Sequence, residues 1–324
     1  TATHTTLEIR PQLTDPLFMI QNTSKDPKTS ILDCVGNTPL LDLGGGIFAK
    51  AEYFNPSGSI KARMAKFMIE KAEAEGLLKP GYTIVEATSG NTGNALSMIA
   101  AAKGYKMIVV MPDGYSNERV RISRGFGAEI RLVGHFQVNE ARAEAIRLGQ
   151  QPGFYCPQQF DNEWNVEENR EWLGREIIEQ LPPGMKIDAI VQGVGTGGTL
   201  IGVAQALKQW HNPDIKVFAM EPTESQTIEC CIVADHKIEG ISDGFIPTIY
   251  DRHRHEVTEV ISVDSHVAID ETQKMAKEKG IFAGPSSGAN YWAAKFVKER
   301  DPSIKTVLTF LCDRGEKYLS LMYQ

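Results

Sequence analysis

Lys61 is the residue of this sequence whose position points most directly to chemistry. It follows the turn sequence Asn-Pro-Ser-Gly at residues 55–58 and opens a run of apolar residues at helical spacing. This pattern predicts a helix with Ser59 as its N-cap. The positive end of a helix dipole disfavours a charged amine in the first turn, whereas a neutral amine or an imine suffers less. Lys61 is therefore a candidate for Schiff-base chemistry, although a single such lysine is more often an ordinary surface residue.

Three loops rich in glycine and hydroxyl side chains also lie at predicted junctions into helices. Residues 88–94 read Thr-Ser-Gly-Asn-Thr-Gly-Asn, residues 193–199 read Gly-Val-Gly-Thr-Gly-Gly-Thr, and residues 284–290 read Gly-Pro-Ser-Ser-Gly-Ala-Asn. Free backbone N–H groups at a helix N-terminus bind anions, so the first loop suits a carboxylate and the second a phosphate. Taken singly, the first and third loops are equally consistent with a well-capped turn. Together with Lys61, they supply the amine, the phosphate donors and the ring-nitrogen partner that pyridoxal phosphate requires.

The second loop also permits a different interpretation. Gly193, Gly195 and Gly198 satisfy the G-x-G-x-x-G pattern of dinucleotide-binding proteins. Glu221 ends the next predicted strand, where an acid would bind the ribose. The pattern is weak when it occurs alone, and here it lies in the middle of the chain. It would also leave Lys61 and the first loop without a role.

The composition of the 324-residue chain limits the other classes of function. A net charge of −7 argues against non-specific nucleic-acid binding, and no apolar run reaches the length of a membrane span. The five cysteines are odd in number and include no CxxC pair, so neither a disulfide framework nor a metal site is predicted. With no signal-peptide pattern at the N-terminus, these features favour a cytoplasmic protein.

Strands and helices alternate along most of the chain, which predicts an α/β fold with two open, doubly wound domains. We expect a polar N-terminal arm at residues 1–30, a smaller domain at 56–161, and a larger domain at 31–55 and 162–324. Ligands of such folds bind where the parallel strands end.

Two segments between the loops carry more local predictions. A single helix is expected over Glu167–Gln180, with the acidic residues Glu167, Glu168 and Glu171 on a solvated face. The span from Ala234 to Asp251 is expected to be a loop.

A series of motifs resembles the cysteine synthase (O-acetylserine sulfhydrylase) family, whose members are pyridoxal-phosphate enzymes with the tryptophan synthase β-like fold, or fold type II. The motifs are GNTPL, NPSGSIK, EATSGNTG, GVGTGGT, EGISDGFIP, GPSSGA and CDRGEKYLS, in family order over residues 31–318. The resemblance implies β-replacement on an activated serine such as O-acetylserine through an aminoacrylate, with sulfide adding to give L-cysteine. It also implies a homodimer and raises serine acetyltransferase as a partner protein.

The resemblance further assigns roles to individual residues. Lys61 would carry the cofactor as an imine and serve as the acid–base group. Asn91 would bind the ring hydroxyl and Ser286 the ring nitrogen. A serine does not enforce a protonated ring, so Ser286 favours elimination of a β-substituent over transamination. The phosphate would be bound by Gly195, Thr196, Gly197, Gly198 and Thr199, and the substrate carboxylate by Thr88, Ser89, Thr92 and Gln159.

The chain departs from the family near the lysine and near the donor. Ala62 replaces the usual Asp, and residues 240–244 read Gly-Ile-Ser-Asp-Gly instead of Gly-Ile-Gly-Ala-Gly. Ser242 and Asp243 thus add bulk and negative charge near the donor. Because no arginine lies between Lys237 and Tyr250, an O-phosphoserine donor is disfavoured. The alternatives are a cystathionine β-synthase-like or O-phosphoserine-using enzyme, a serine/threonine dehydratase-type lyase, and an inactive binding protein.

Overall fold

Two sheets organise the protein in the computed structural model, which describes residues 27–114, 117–135 and 138–323. Most of the predicted N-terminal arm lies outside the described residues. The strands are β1 (Leu40–Asp42), β2 (Ile47–Ala51), β3 (Thr83–Ala87), β4 (Lys106–Asp113), β5 (Glu129–His135), β6 (Phe154–Tyr155), β7 (Ala189–Gly193), β8 (Lys216–Pro222), β9 (Glu259–Val263) and β10 (Val307–Leu311).

Both sheets consist mainly of parallel strands. The larger sheet has six strands in the order β1-β2-β10-β7-β8-β9, and the smaller has four in the order β5-β4-β3-β6. Only the β1–β2 pair is antiparallel among these pairings. Parallel neighbours require crossover connections, which here are mostly helical. The predicted α/β architecture is therefore confirmed, whereas the domain boundaries given above stay a prediction.

Helices cover both faces of each sheet. They are α1 (Lys61–Ala74), α2 (Asn91–Lys103), α3 (Asn117–Gly125), α4 (Val138–Gly149), α5 (Trp164–Glu168), α6 (Arg175–Gln180), α7 (Gly198–Trp210), α8 (Thr227–Cys230), α9 (Thr248–His253), α10 (Ser265–Lys279), α11 (Pro285–Arg300) and α12 (Leu319–Met322). Helices α1 and α2 pack on one face of the smaller sheet and α4 on the other. In the larger sheet, α10 and α11 cover one face and α7 the other. No helix within the described ranges is both long and apolar enough to cross a membrane.

Three local predictions need correction. The segment expected as one helix is divided into α5 and α6 by a π-helical turn at Asn169–Gly174, where the chain packs against α7. Helix α9 begins inside the expected loop and extends two residues beyond it, because tertiary contacts bury Ile249 in a way that no local pattern reveals. Helix α1 begins at Lys61 directly after Ile60, so Ser59 is not its N-cap residue. The Ser59 hydroxyl nevertheless accepts the Lys61 N–H at 3.4 Å.

A buried ionic cluster anchors the first turn of α1. Arg63 is fully buried, and its guanidinium contacts Glu52 at 2.8 Å and Glu176 at 2.7 Å. Lys50 on β2 contacts the same Glu176 carboxylate at 2.6 Å. Burial opposes ionisation of Glu176, but Arg63 and Lys50 outweigh it and lower its pKa to about 2. Because breaking a buried pair is costly, the cluster fixes α1 against β2 and α6.

Glu168 differs from the prediction of a solvated acidic face. Its side chain is buried, and its Oε1 atom has no hydrogen-bond partner among the described residues. Burial, together with the nearby carboxylates of Glu52 and Glu176, raises the pKa of Glu168 to about 8 despite the proximity of Arg63. The neighbouring Glu167 instead reaches the surface, where it pairs with Lys71 at 2.5 Å.

We expect Glu168 to make the stability of the protein fall between about pH 5 and pH 8. Over this range the unfolded chain loses a proton that the folded chain retains, so rising pH lowers the free energy of unfolding. Glu168→Gln should remove this loss. The free energy of unfolding of the variant, relative to that of the wild type, should therefore rise by on the order of 3 kcal/mol from about pH 5 to about pH 8. Denaturant unfolding at each pH checks this, with Glu167→Gln as the control. An equal pH slope in wild type and Glu168→Gln would contradict the assignment.

Candidate active site

Two adjoining cavities lie at the carboxyl ends of β3 and β7, and Lys61 lines both. The glycine loop before α7 and Ser286 line one cavity, and the four residues predicted for the substrate carboxylate line the other. Asn91 lines both cavities as well. Among the predicted site residues only Gly198 lies outside these linings, and it is the first residue of helix α7. The structure thus brings together residues that are more than two hundred positions apart in sequence.

The glycine loop before α7 has the shape of an anion cradle. Gly197 has φ +90°, a left-handed conformation that favours glycine. A Cβ at Gly195 would lie 2.7 Å from the Gly240 carbonyl oxygen, and one at Gly198 would overlap the Asn165 amide. The Thr196 hydroxyl accepts hydrogen bonds from the Gly198 N–H and the Asn165 amide. The glycines therefore allow this loop to pack closely against Gly240 and Asn165 at the N-terminus of α7.

The amine of Lys61 is withdrawn from bulk water yet open to the cavity. Burial lowers the pKa of Lys61, against the opposing effect of the nearby Cys312 and Asp243. Its side chain is only half-buried by accessible area, because the exposed part faces the cavity. A lowered pKa increases the share of neutral amine, which is the nucleophilic form.

The loop after β3 is held by its own hydrogen bonds. The Thr92 hydroxyl donates to the Gln159 side chain at 2.6 Å, and the Gln159 amide donates to the Ala87 carbonyl at 2.7 Å. Glu86 accepts from the Gln159 backbone N–H at 3.0 Å, and burial raises the pKa of Glu86 to about 7. The Asn165 amide donates to both the Gln159 carbonyl and Thr196, each at 2.9 Å, so it connects the two predicted anion sites.

Asn91 belongs to a polar cluster that the sequence analysis missed. Its amide donates to Asp313 at 2.6 Å, and its carbonyl oxygen accepts from Lys317 at 2.8 Å. Burial lowers the pKa of Lys317 to about 8. Asp313 also accepts the hydroxyl of Tyr318. All three belong to the motif CDRGEKYLS, so the sequence contained the signal but gave no reason to place this motif beside Asn91.

Ser286 is the second residue of α11 and is buried against Cys312. The Cys312 backbone N–H donates to the neighbouring Ser287 hydroxyl at 2.9 Å, which fixes the start of the helix against the end of β10. Ser286 therefore presents a neutral hydroxyl to the cavity that also contains Lys61 and the phosphate loop.

Comparison with known proteins identifies the family. Residues 31–313 match the family described as pyridoxal-phosphate dependent enzyme. The chain belongs to this family. It is 40% identical over 305 residues to a cysteine synthase of Staphylococcus aureus, covering 92% of this chain and 97% of the relative. It is 39% identical over 298 residues to O-ureido-L-serine synthase of Streptomyces lavendulae, covering 90% of this chain and 91% of that protein.

Solved structures agree with this membership. The O-acetylserine dependent cystathionine β-synthase from Helicobacter pylori superposes with a TM-score of 0.86 at 31% identity, covering 92% of this chain and 100% of the other. The predicted fold type II, pyridoxal-phosphate dependence and β-replacement class of enzyme are thereby confirmed. The dinucleotide interpretation is wrong. Glu221, its proposed ribose ligand, accepts the N–H groups of Ile228 and Glu229 instead.

The site fits pyridoxal phosphate on its own geometry. The cradle at residues 195–199 has the glycines and the helix N-terminus that a phosphate requires. Lys61, whose amine has a lowered pKa, and Ser286 line the cavity beside this cradle. These are the groups to which the sequence analysis assigns the amine, the anion donors and the ring-nitrogen partner.

Substitution of Gly198 should weaken cofactor binding through packing alone. In Gly198→Ala the new methyl would displace Asn165 from Thr196, at a cost of about 1–3 kcal/mol. We expect the dissociation constant for pyridoxal phosphate to rise about tenfold or more. Equilibrium dialysis of the cofactor measures this. Gly125→Ala, where a Cβ at the end of α3 meets open space, is the control. If Gly198→Ala and Gly125→Ala bind pyridoxal phosphate with equal affinity, close packing at Gly198 is not required for cofactor binding.

Proposed function

We propose that this protein catalyses β-replacement on an O-acetylserine-like donor, with sulfide as the nucleophile and L-cysteine as the product. One observation carries the proposal: Lys61 lines both the cavity that contains the glycine loop before α7 and the cavity that contains the loop after β3. An amino acid held by its carboxylate in that loop would present its α-carbon to the amine. The relatives named cysteine synthase support this choice of donor and nucleophile.

The cofactor supplies one part of the chemistry and the chain supplies the rest. Bound pyridoxal phosphate acts as an electron sink for bonds at the α-carbon of an amino acid. Lys61 anchors the cofactor, accepts the α-proton and later returns it, which requires an amine that is neutral near physiological pH. The burial that lowers the pKa of Lys61 favours this state.

The remaining predicted residues bind and orient. In our proposal the N-terminus of α7, with Thr196 and Thr199, binds the phosphate. Asn91, whose side chain is positioned by hydrogen bonds to Asp313 and Lys317, binds the ring hydroxyl. Ser286 forms a hydrogen bond to the ring nitrogen through an uncharged hydroxyl group. Because this neutral partner keeps the electron sink mild, the site favours loss of a β-substituent over transamination.

The substrate carboxylate is assigned to the loop after β3. Thr88, Ser89 and Thr92 lie beside the N-terminus of α2, whose dipole favours an anion. Hydrogen bonds to Thr92 and Glu86 position Gln159, which we propose as the fourth residue that binds the carboxylate. The finer expectations of a homodimer, a serine acetyltransferase partner and a cytoplasmic location remain part of this proposal.

Lys61→Ala tests the proposal directly. We expect this variant to lose the visible absorbance of lysine-bound cofactor and to make L-cysteine from O-acetylserine and sulfide at least about 10²-fold more slowly, because the acid–base group is gone. Absorption spectra and cysteine assays measure both effects. Lys66→Ala, on the same helix but paired with Glu70 at 3.0 Å, is the control. Pyruvate and ammonia as the wild-type products would indicate a dehydratase-type lyase, and a colourless wild type would indicate an inactive binding protein.

A further inference from the structure

Ser286 adjoins a buried cluster of three polar side chains that the proposed function does not use. The cluster consists of Gln192 on β7, Asn290 on α11 and Cys312 directly after β10, none of them more than 7% exposed. Gln192, Cys312 and Ser286 also line the cavity that contains Lys61. A side-chain hydrogen bond joins Ser286 to the Cys312 sulfur. The cluster therefore contacts the residue that we assign to the ring nitrogen.

A backbone group fixes the direction of the hydrogen bonds in this cluster. The Gly193 N–H can only donate, and it donates to the side-chain oxygen of Asn290 at 2.8 Å. The side-chain nitrogen of Asn290 must then be the donor to the side-chain oxygen of Gln192, at 2.7 Å. The side-chain nitrogen of Gln192 in turn donates to the Cys312 sulfur at 3.5 Å. Each amide thus has one orientation, which the preceding donor sets.

The Cys312 thiol must direct its own proton to a different group. Burial raises the pKa of this thiol to about 11, although the Gln192 amide acts in the opposite direction, so the group is protonated at neutral pH. The Gln192 side-chain oxygen and the Phe310 carbonyl oxygen are distant acceptors, at 3.8 Å and 4.0 Å. Both oxygens already accept from Asn290. The Ser286 oxygen is the remaining acceptor for the thiol among the described residues.

The opposite direction of the bond between Ser286 and Cys312 fits the cluster less well. The Ser286 hydroxyl would then donate to the sulfur, which already accepts from Gln192 and, at 3.4 Å, from Asn290. A thiol sulfur is a weak acceptor, and its own proton would be left with the two distant oxygens. The cluster therefore favours a thiol that donates to the Ser286 oxygen.

We propose that Gln192, Asn290 and Cys312 are positioning residues, which direct the Ser286 hydroxyl proton towards the ring nitrogen of pyridoxal phosphate. This inference rests on the proposed function, because it takes Ser286 as the partner of that nitrogen. A hydroxyl whose oxygen accepts from a thiol has its own proton free to donate. Only an unprotonated ring nitrogen can accept this proton in a hydrogen bond, so the cluster stabilises the unprotonated ring. The direction of these hydrogen bonds thus keeps the electron sink mild.

The experiment compares Cys312→Ala with Cys312→Ser in the purified holoenzyme. Pyridoxal phosphate with a ¹⁵N-labelled ring reports the protonation of that nitrogen through its NMR chemical shift. Cys312→Ala removes the donor to Ser286, so the pH at which the nitrogen is half-protonated should rise by about 0.5–1 unit. Cys312→Ser retains a donor and should keep the wild-type value. Cys34→Ala, the same change at an exposed cysteine, is the matched control.

Rescue by serine separates a directed hydrogen bond from simple packing. Equal midpoints in the wild type and Cys312→Ala, or a Cys312→Ser variant that behaves like Cys312→Ala, would overturn this inference alone. A wild-type ring nitrogen that is protonated at neutral pH would also overturn it. If Cys312→Ala does not fold, Cys312→Val, which also lacks a donor, replaces it. Cysteine formation by the same wild-type sample tests the proposed function separately, and a wild type that binds no pyridoxal phosphate would overturn both.

Discussion

The site depends on holding a lysine amine inside the protein at the start of a helix, where burial and the helix dipole both oppose its charge. Arg63 lies two residues further along α1 and is bound by Glu52 and Glu176 in a buried cluster. This cluster prevents the first turn from moving towards solvent. Lys61 therefore stays in the cavity with a depressed pKa, which is the state that Schiff-base chemistry requires.

Single amide side chains join the parts of the site. Asn165 donates to both Thr196 and the Gln159 carbonyl, so the cradle for the phosphate and the loop for the carboxylate share one anchor. Asn91 is fixed by Asp313 and Lys317, which come from the C-terminal part of the chain. Movement of the loop that contains Thr196 would therefore also move the segment that contains Gln159. This shared anchor preserves the spacing between the proposed cofactor and substrate sites.

Several ionisable groups around the cavity are shifted towards their neutral forms. Burial lowers the pKa values of Lys61 and Lys317 and raises those of Glu86 and Asp243. Shifted pKa values of this kind are typical of enzyme active sites. Burial also lowers stability at Glu168, because it raises the pKa of this carboxyl group to about 8.

The sequence by itself determined the alternating α/β architecture, the position of Lys61 at a helix start and the glycine loops, because periodicity and turn chemistry are local properties. Strand β3 and helix α2, which flank the first loop, show this alternation. Only the tertiary structure decided which side chains meet. The burial of Glu168, the contact of Lys317 with Asn91 and the unpaired oxygen of Asp243 arise from segments distant in sequence. Burial, and with it the pKa values and hydrogen-bond partners that make a site, is a property of such non-local packing.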